Sequence, residues 1–128
     1  MKSLGTHILV ELFGCNREIL NDAHKIKSEM IKAAELIKAT IVASSAHNFK
    51  PQGVSAVVVI SESHLTMHTW PEYQYAAVDL FICTDTADPW IAFNHLKKVL
   101  QASHTSTIEM KRGQLHDMNK SGCCKFYD

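Results

Sequence analysis

The sequence predicts an α+β domain, a two-layer sandwich in which one antiparallel sheet is covered on one face by two helices. Three observations carry this. Short runs of alternating or continuous apolar character recur with turn residues between them, and two segments carry apolar residues at helical spacing. The segments follow the order strand, helix, four strands, helix, strand, which is not the strict alternation of a parallel sheet. A chain of 128 residues suits one domain, 1–128, around one core.

The elements follow in order. Thr6 to Phe13 is a strand, with Ile8, Val10 and Leu12 on one side and His7, Leu9, Glu11 and Phe13 on the other. From Asn21 to near Ala39 the apolar positions Ala23, Ile26, Met30, Ala33 or Ala34 and Ile37 make a helical stripe. Ile41 to Phe49 and Val54 to Ile60 are strands joined by a turn at Pro51, Gln52 and Gly53. A turn at Ser61 to His64 leads to a strand from Leu65 to Trp70, which Pro71 stops before Tyr75 to Cys83 forms the next. Asp88 and Pro89 open the second helix, with Ala92, Phe93, Leu96, Val99 and Leu100 on its apolar side. Ser103 to Met110 is the weakest strand pattern.

Composition narrows the function. Lys and Arg total 13 against 13 Asp and Glu, with no basic bank, so a nucleic-acid surface is not expected. The longest apolar run, Val54 to Ile60, is far short of a membrane span, and Met1 to Val10 has no signal-peptide pattern, which predicts a cytoplasmic protein without membrane partners. Cys15, Cys83, Cys123 and Cys124 are too few and too irregular for a disulfide framework, and the last two sit in a polar tail expected to fray. The eight histidines do not fall at paired ligand spacings with carboxylates or thiols, so no metal is expected.

Two helices can cover only one sheet face. Alternation places His7, Glu11, Ser55, His68, Trp70, Asp79, Phe81 and Cys83 on mixed sets, and the functional site is expected there. A face with Phe13, Phe49, Trp70 and Phe81 is too apolar to stay bare. A second copy is expected to cover it, making a homodimer of four layers, αββα.

The stretch "VVVISESHLTMHTWPEYQYAAVDLFIC", Val57 to Cys83, concentrates reactive side chains: Ser61, Glu62, Ser63, His64, His68 and Cys83 within one strand-turn-strand-strand segment. With "KSLGTH" at Lys2 to His7, "GVSAVVVISESHLTMHTWPEY" at Gly53 to Tyr73, "AAVDLFIC" at Ala76 to Cys83 and "DPWIAFNHLKK" at Asp88 to Lys98, the chain resembles the prokaryotic S-adenosylmethionine decarboxylases, pyruvoyl-dependent enzymes of polyamine synthesis. The likeness covers about the first hundred residues.

The resemblance implies that Ser63 attacks the carbonyl of Glu62, that the chain splits after Glu62 into 1–62 and 63–128, and that Ser63 becomes the covalent pyruvoyl cofactor. The two cleaved chains stay associated. By the same resemblance His68 takes the Ser63 α-proton during processing and Ser55 assists by hydrogen bonding. The pyruvoyl ketone then forms a Schiff base with S-adenosylmethionine and acts as electron sink, and Cys83 returns a proton to the former α-carbon. The product is the aminopropyl donor for spermidine synthesis. Phe49 and Trp70 match the pair that sandwiches adenine, Glu72 the carboxylate that binds the ribose hydroxyls, and Leu65 and Thr66 offer backbone near the adenine edge. Two alternatives share these features: a pyruvoyl-dependent arginine or ornithine decarboxylase, and a non-catalytic regulatory relative.

Overall fold

In the computed structural model, which describes residues 3–83 and 86–114, six strands form one antiparallel sheet in the order β2-β3-β4-β5-β1-β6. The elements are β1 (Ser3–Phe13), α1 (Arg17–Leu20), α2 (Ala23–Leu36), β2 (Ile41–Asn48), β3 (Val54–Ile60), β4 (Ser63–Trp70), a 3-10 turn (Pro71–Tyr73), β5 (Tyr75–Ile82), α3 (Pro89–Val99) and β6 (His104–Gln114). The α+β sandwich is as expected. Cys123 and Cys124 lie outside the described residues.

Alternation sorts the faces. Ile8, Val10 and Leu12 of β1, Val54, Ala56, Val58 and Ile60 of β3, Leu65 and Met67 of β4, and Ala76, Val78, Leu80 and Ile82 of β5 are buried. Ile26, Met30, Ala33 and Ala34 of α2 and Ala92, Phe93 and Leu96 of α3 join them in one core. Thr69, the one buried polar side chain among the described residues, donates to Leu20 O at 2.7 Å and accepts from Val54 N–H at 2.9 Å. Leu9, Phe13, Val59 and Trp70 stay exposed on the opposite face, and Ile108 and Met110, paired with Leu9 and His7, share it.

Local chemistry sets the helix starts. Asn16, Asp22 and Asp88 each accept a backbone N–H of the following turn, from Ile19, Lys25 and Trp90 at 3.0 Å, and Pro89 takes the first position of α3. The helix expected from Asn21 to near Ala39 is α2, which Asp22 caps and which ends at Leu36, and a single turn not expected from the sequence, α1, precedes it. Two strand ends also move. β4 begins at Ser63 rather than Leu65, so only Ser61 and Glu62 form the turn, and β6 runs on to Gln114, paired along β1. Backbone pairing holds β6, whose side chains are mostly exposed, which is why its sequence pattern is weak.

Gly5 fits a close approach. A Cβ there would meet Ile82 O at 2.8 Å and Cys83 Cα at 3.3 Å, so the start of β1 presses against the end of β5 only because it carries no side chain.

Candidate active site

The Ser61–Glu62 turn is clamped from both sides. Ser61 N–H donates to Thr40 O at 2.8 Å, and Thr40 N–H donates to Glu62 Oε1 at 3.1 Å. From β5, Cys83 N–H donates to the Glu62 carbonyl oxygen at 3.1 Å. Directly after that carbonyl, Ser63 has φ 148°, a backbone region that a residue with a Cβ rarely occupies and that costs on the order of 1–3 kcal/mol. Ser63 pairs with Ile60 on one side and Ile82 on the other, so the sheet holds it there. Cys83 is buried and forms no disulfide. A cavity of about 250 Å³ lined by Lys38, Glu62, Ile82 and Thr86 opens beside the turn.

His68 and Ser55 face each other across β4 and β3, with Oγ to Nδ1 at 2.7 Å. They lie on the open sheet face near its other end, His68 exposed and Ser55 half-buried. Five residue steps along β4 separate Ser63 from His68, about 17 Å along an extended chain, and the odd spacing does not place them on one face.

Phe49, Trp70 and Glu72 also lie at that far end, each exposed. Phe49 makes an edge contact with His47 (4.6 Å between ring centroids), and Trp70 lies against Tyr75 (5.4 Å). Phe13 stacks on Tyr75 and His104 on Phe13, extending this aromatic row across β1 and β6. Tyr75 donates to Glu11, and burial together with that carboxylate pushes its phenol up to about 12. Burial alone pushes the Cys15 thiol, in the core beneath α1, up to about 11.

Leu65 and Thr66, expected to offer backbone near the adenine edge, lie in β4 in the interior of the sheet. Leu65 is buried at 1% exposure among the helix-facing residues, and its strand is paired on both sides, to β3 and β5. An interior strand commits its N–H and C=O groups to the ladder, and each carbonyl keeps a second lone pair. The Thr66 hydroxyl donates to Asp79.

Asp79 anchors a cluster that sequence spacing did not reveal. His7 Nε2 and His64 Nε2 lie 2.7 and 3.0 Å from Asp79 Oδ2, and Arg112 reaches His7 Nδ1 at 3.1 Å. Burial would raise the Asp79 carboxyl, but hydrogen bonds from Thr66, His7 and His64, with the charge of His64, hold it below the usual range. Positions 7, 64 and 79 are far apart in the chain and are brought together only by sheet register, so the premise behind expecting no metal-binding group, local ligand spacing, does not hold.

A serine at positive φ stands at a clamped hairpin turn, on a sheet with one covered and one open face, in an α+β sandwich. Residues 6–113 match the family model for S-adenosylmethionine decarboxylase. The chain is 55% identical over 118 residues to the S-adenosylmethionine decarboxylase proenzyme of Thermosipho melanesiensis, covering 92% of this chain and 91% of that one. It is 54% identical, with the same coverage, to the proenzyme of the same name from Thermotoga maritima. The crystal structure of the adenosylmethionine decarboxylase from Aquifex aeolicus superimposes with a TM-score of 0.85 at 28% identity, over 94% of this chain and 99% of that one. The chain belongs to the S-adenosylmethionine decarboxylase family. Among the described residues no helix is long and apolar enough to cross a membrane.

Proposed function

We propose that the protein is a self-processing, pyruvoyl-dependent S-adenosylmethionine decarboxylase that makes the aminopropyl donor for spermidine synthesis. The observation that carries this is the Glu62–Ser63 junction, where a strained serine follows a carbonyl whose oxygen already accepts the Cys83 N–H. Membership of a family whose relatives are named proenzymes supports it, and those names favour S-adenosylmethionine over arginine or ornithine as substrate.

Processing follows from these groups. Ser63 Oγ attacks the Glu62 carbonyl carbon, the bond to the Ser63 nitrogen breaks, and an ester replaces the amide. The Cys83 N–H faces the oxygen on which negative charge develops, as an oxyanion donor does. Relief of the Ser63 backbone strain favours the shift. Removal of the Ser63 α-proton then expels Glu62 as a carboxylate, and the remaining enamine hydrolyses, with loss of ammonia, to a pyruvoyl group at the head of 63–128. His68 is the base: with Nδ1–H donating to Ser55 Oγ, its Nε2 carries the lone pair.

The residues at the turn fit the group so formed, since the strained serine and the thiol of Cys83 stand at adjoining strand ends. The pyruvoyl ketone supplies an electron sink for the bond to the leaving carboxylate. Cys83 supplies the proton for the former α-carbon. Phe49 and Trp70 offer flat faces to adenine and Glu72 accepts from the ribose hydroxyls.

The distance between Ser63 and His68 sets the assembly. A base acts within about 3 Å of its proton, whereas one strand separates these residues by about 17 Å. The open face also exposes Leu9, Phe13, Val59, Ile108 and Met110. Two copies packed face to face about a two-fold axis bring the Ser63 end of one sheet to the His68 end of the other. Each site then combines Ser63 and Cys83 of one protomer with Ser55, His68, Phe49, Trp70 and Glu72 of its partner, in a four-layer αββα dimer.

Carboxyl-labelled S-adenosylmethionine, arginine and ornithine, offered separately to purified enzyme, test the substrate. Labelled carbon dioxide is expected from S-adenosylmethionine alone, and release from arginine or ornithine alone overturns the assignment.

A further inference from the structure

Asp79 has no part in the processing or substrate binding above, yet three side chains from the two neighbouring strands, β4 and β1, converge on it. Thr66 donates to one carboxylate oxygen, and His7 and His64 reach the other at 2.7 and 3.0 Å. Arg112 of β6 lies 3.1 Å from His7 Nδ1, with its guanidinium 5.0 Å from the Phe81 ring centroid. A guanidinium only donates, so His7 accepts at Nδ1, carries its proton on Nε2 and donates it to Asp79. The ligand-type atoms of His7, His64 and Asp79 lie within 4.8 Å of one another, a spacing a metal ion accepts. That proton on His7 and the charge of Arg112 both oppose a cation there. The cluster is a hydrogen-bonded brace across β4, β5, β1 and β6.

Its position gives the brace a use that rests on the processing reading. In the intact chain residue 63 is held by covalent bonds on both sides, and the turn before it is clamped by Thr40 and Cys83. Once the bond after Glu62 is cut, the one covalent link of residue 63 is to the His64 nitrogen, and its pairing with Ile60 and Ile82 is the last of β4, where chain ends fray. His64 is the next residue, and Asp79 holds its ring. Thr66, two residues further on, is held by the same carboxylate.

We propose that Asp79 is a positioning residue for the cofactor: through His64 and Thr66 it keeps the new N-terminal end of 63–128 in the sheet after the backbone is cut. The His64 ring also lies edge-on to the rings of His7 and Phe81, at 5.6 and 5.9 Å between centroids, and Asp79 supplies its hydrogen bond.

Hydrogen–deuterium exchange over Ser63–Trp70 tests this, on processed wild type, processed Asp79→Ala, and two uncut proteins, Ser63→Ala and Ser63→Ala/Asp79→Ala. In the processed protein, loss of Asp79 is expected to speed exchange at 64–66 about tenfold, the worth of one hydrogen bond to a charged group, and in the uncut protein less than about twofold. Processed Asp79→Ala is expected to lose about tenfold in kcat with KM within about twofold. His64→Gln, which keeps a donor toward Asp79, is expected to behave as wild type and His64→Leu as Asp79→Ala, and this pair decides the matter if Asp79→Ala does not fold. Equal acceleration in cut and uncut proteins, unchanged exchange in processed Asp79→Ala, or wild-type behaviour of His64→Leu overturns the proposal. Failure of the wild-type chain to cut is seen separately, by mass, and counts against the processing reading.

Discussion

Mixing two inactive variants tests whether the site is shared between protomers. Ser63→Ala lacks the nucleophile and His68→Ala lacks the base, so neither chain alone is expected to process. Because about 17 Å of strand separates the two residues, the account places them together only across the dimer. Co-expressed in equal amounts, the variants pair at random and about half the dimers are hybrids. Each hybrid has one intact site, made of Ser63 from the His68→Ala chain and His68 from the Ser63→Ala chain, and one doubly defective site. About a quarter of all chains should therefore be cut, every one of them a His68→Ala chain. Two different affinity tags isolate the hybrids, and intact-mass measurement identifies the cut chain. Hybrids that form but contain only full-length chains would refute the shared site.

Other expectations follow from packing and protonation. Leu65→Ala removes a fully buried side chain and should cost about 2–5 kcal/mol in chemical denaturation without raising KM, because the side chain is core and the backbone is kept. Gly5→Ala drives a methyl group into Ile82 O and Cys83 Cα, so processing and turnover should both fall, as gel analysis and labelled carbon dioxide release would show. The Asp79 carboxyl is held below its ordinary value, so it binds a proton less readily folded than unfolded. Its contribution is complete above about pH 4 and is lost as pH falls through the folded value, so Asp79→Asn should flatten the acid limb of stability against pH in denaturant titrations.

Much of the fold was legible because alternation is a local signal. Ile8, Val10 and Leu12 announced the covered face of β1, and Asp88 with Pro89 announced α3. The single turn α1 is too short to show a helical stripe, and β6 is held by pairing with β1 rather than by burial of its own side chains. For the site, the turn at Glu62 and Ser63 was conspicuous, whereas its strain and the Cys83 N–H contact are tertiary properties. The Asp79 cluster had no local signal, since register across three strands assembles it. Strand spacing alone, by contrast, would have separated Ser63 from His68.

Intact-mass measurement of the purified wild-type protein tests the central claim most directly. The account predicts two chains, 1–62 and 63–128, the second beginning with a pyruvoyl group, and a single uncut chain for Ser63→Ala. A wild-type protein that decarboxylates S-adenosylmethionine while remaining one full-length chain would contradict it.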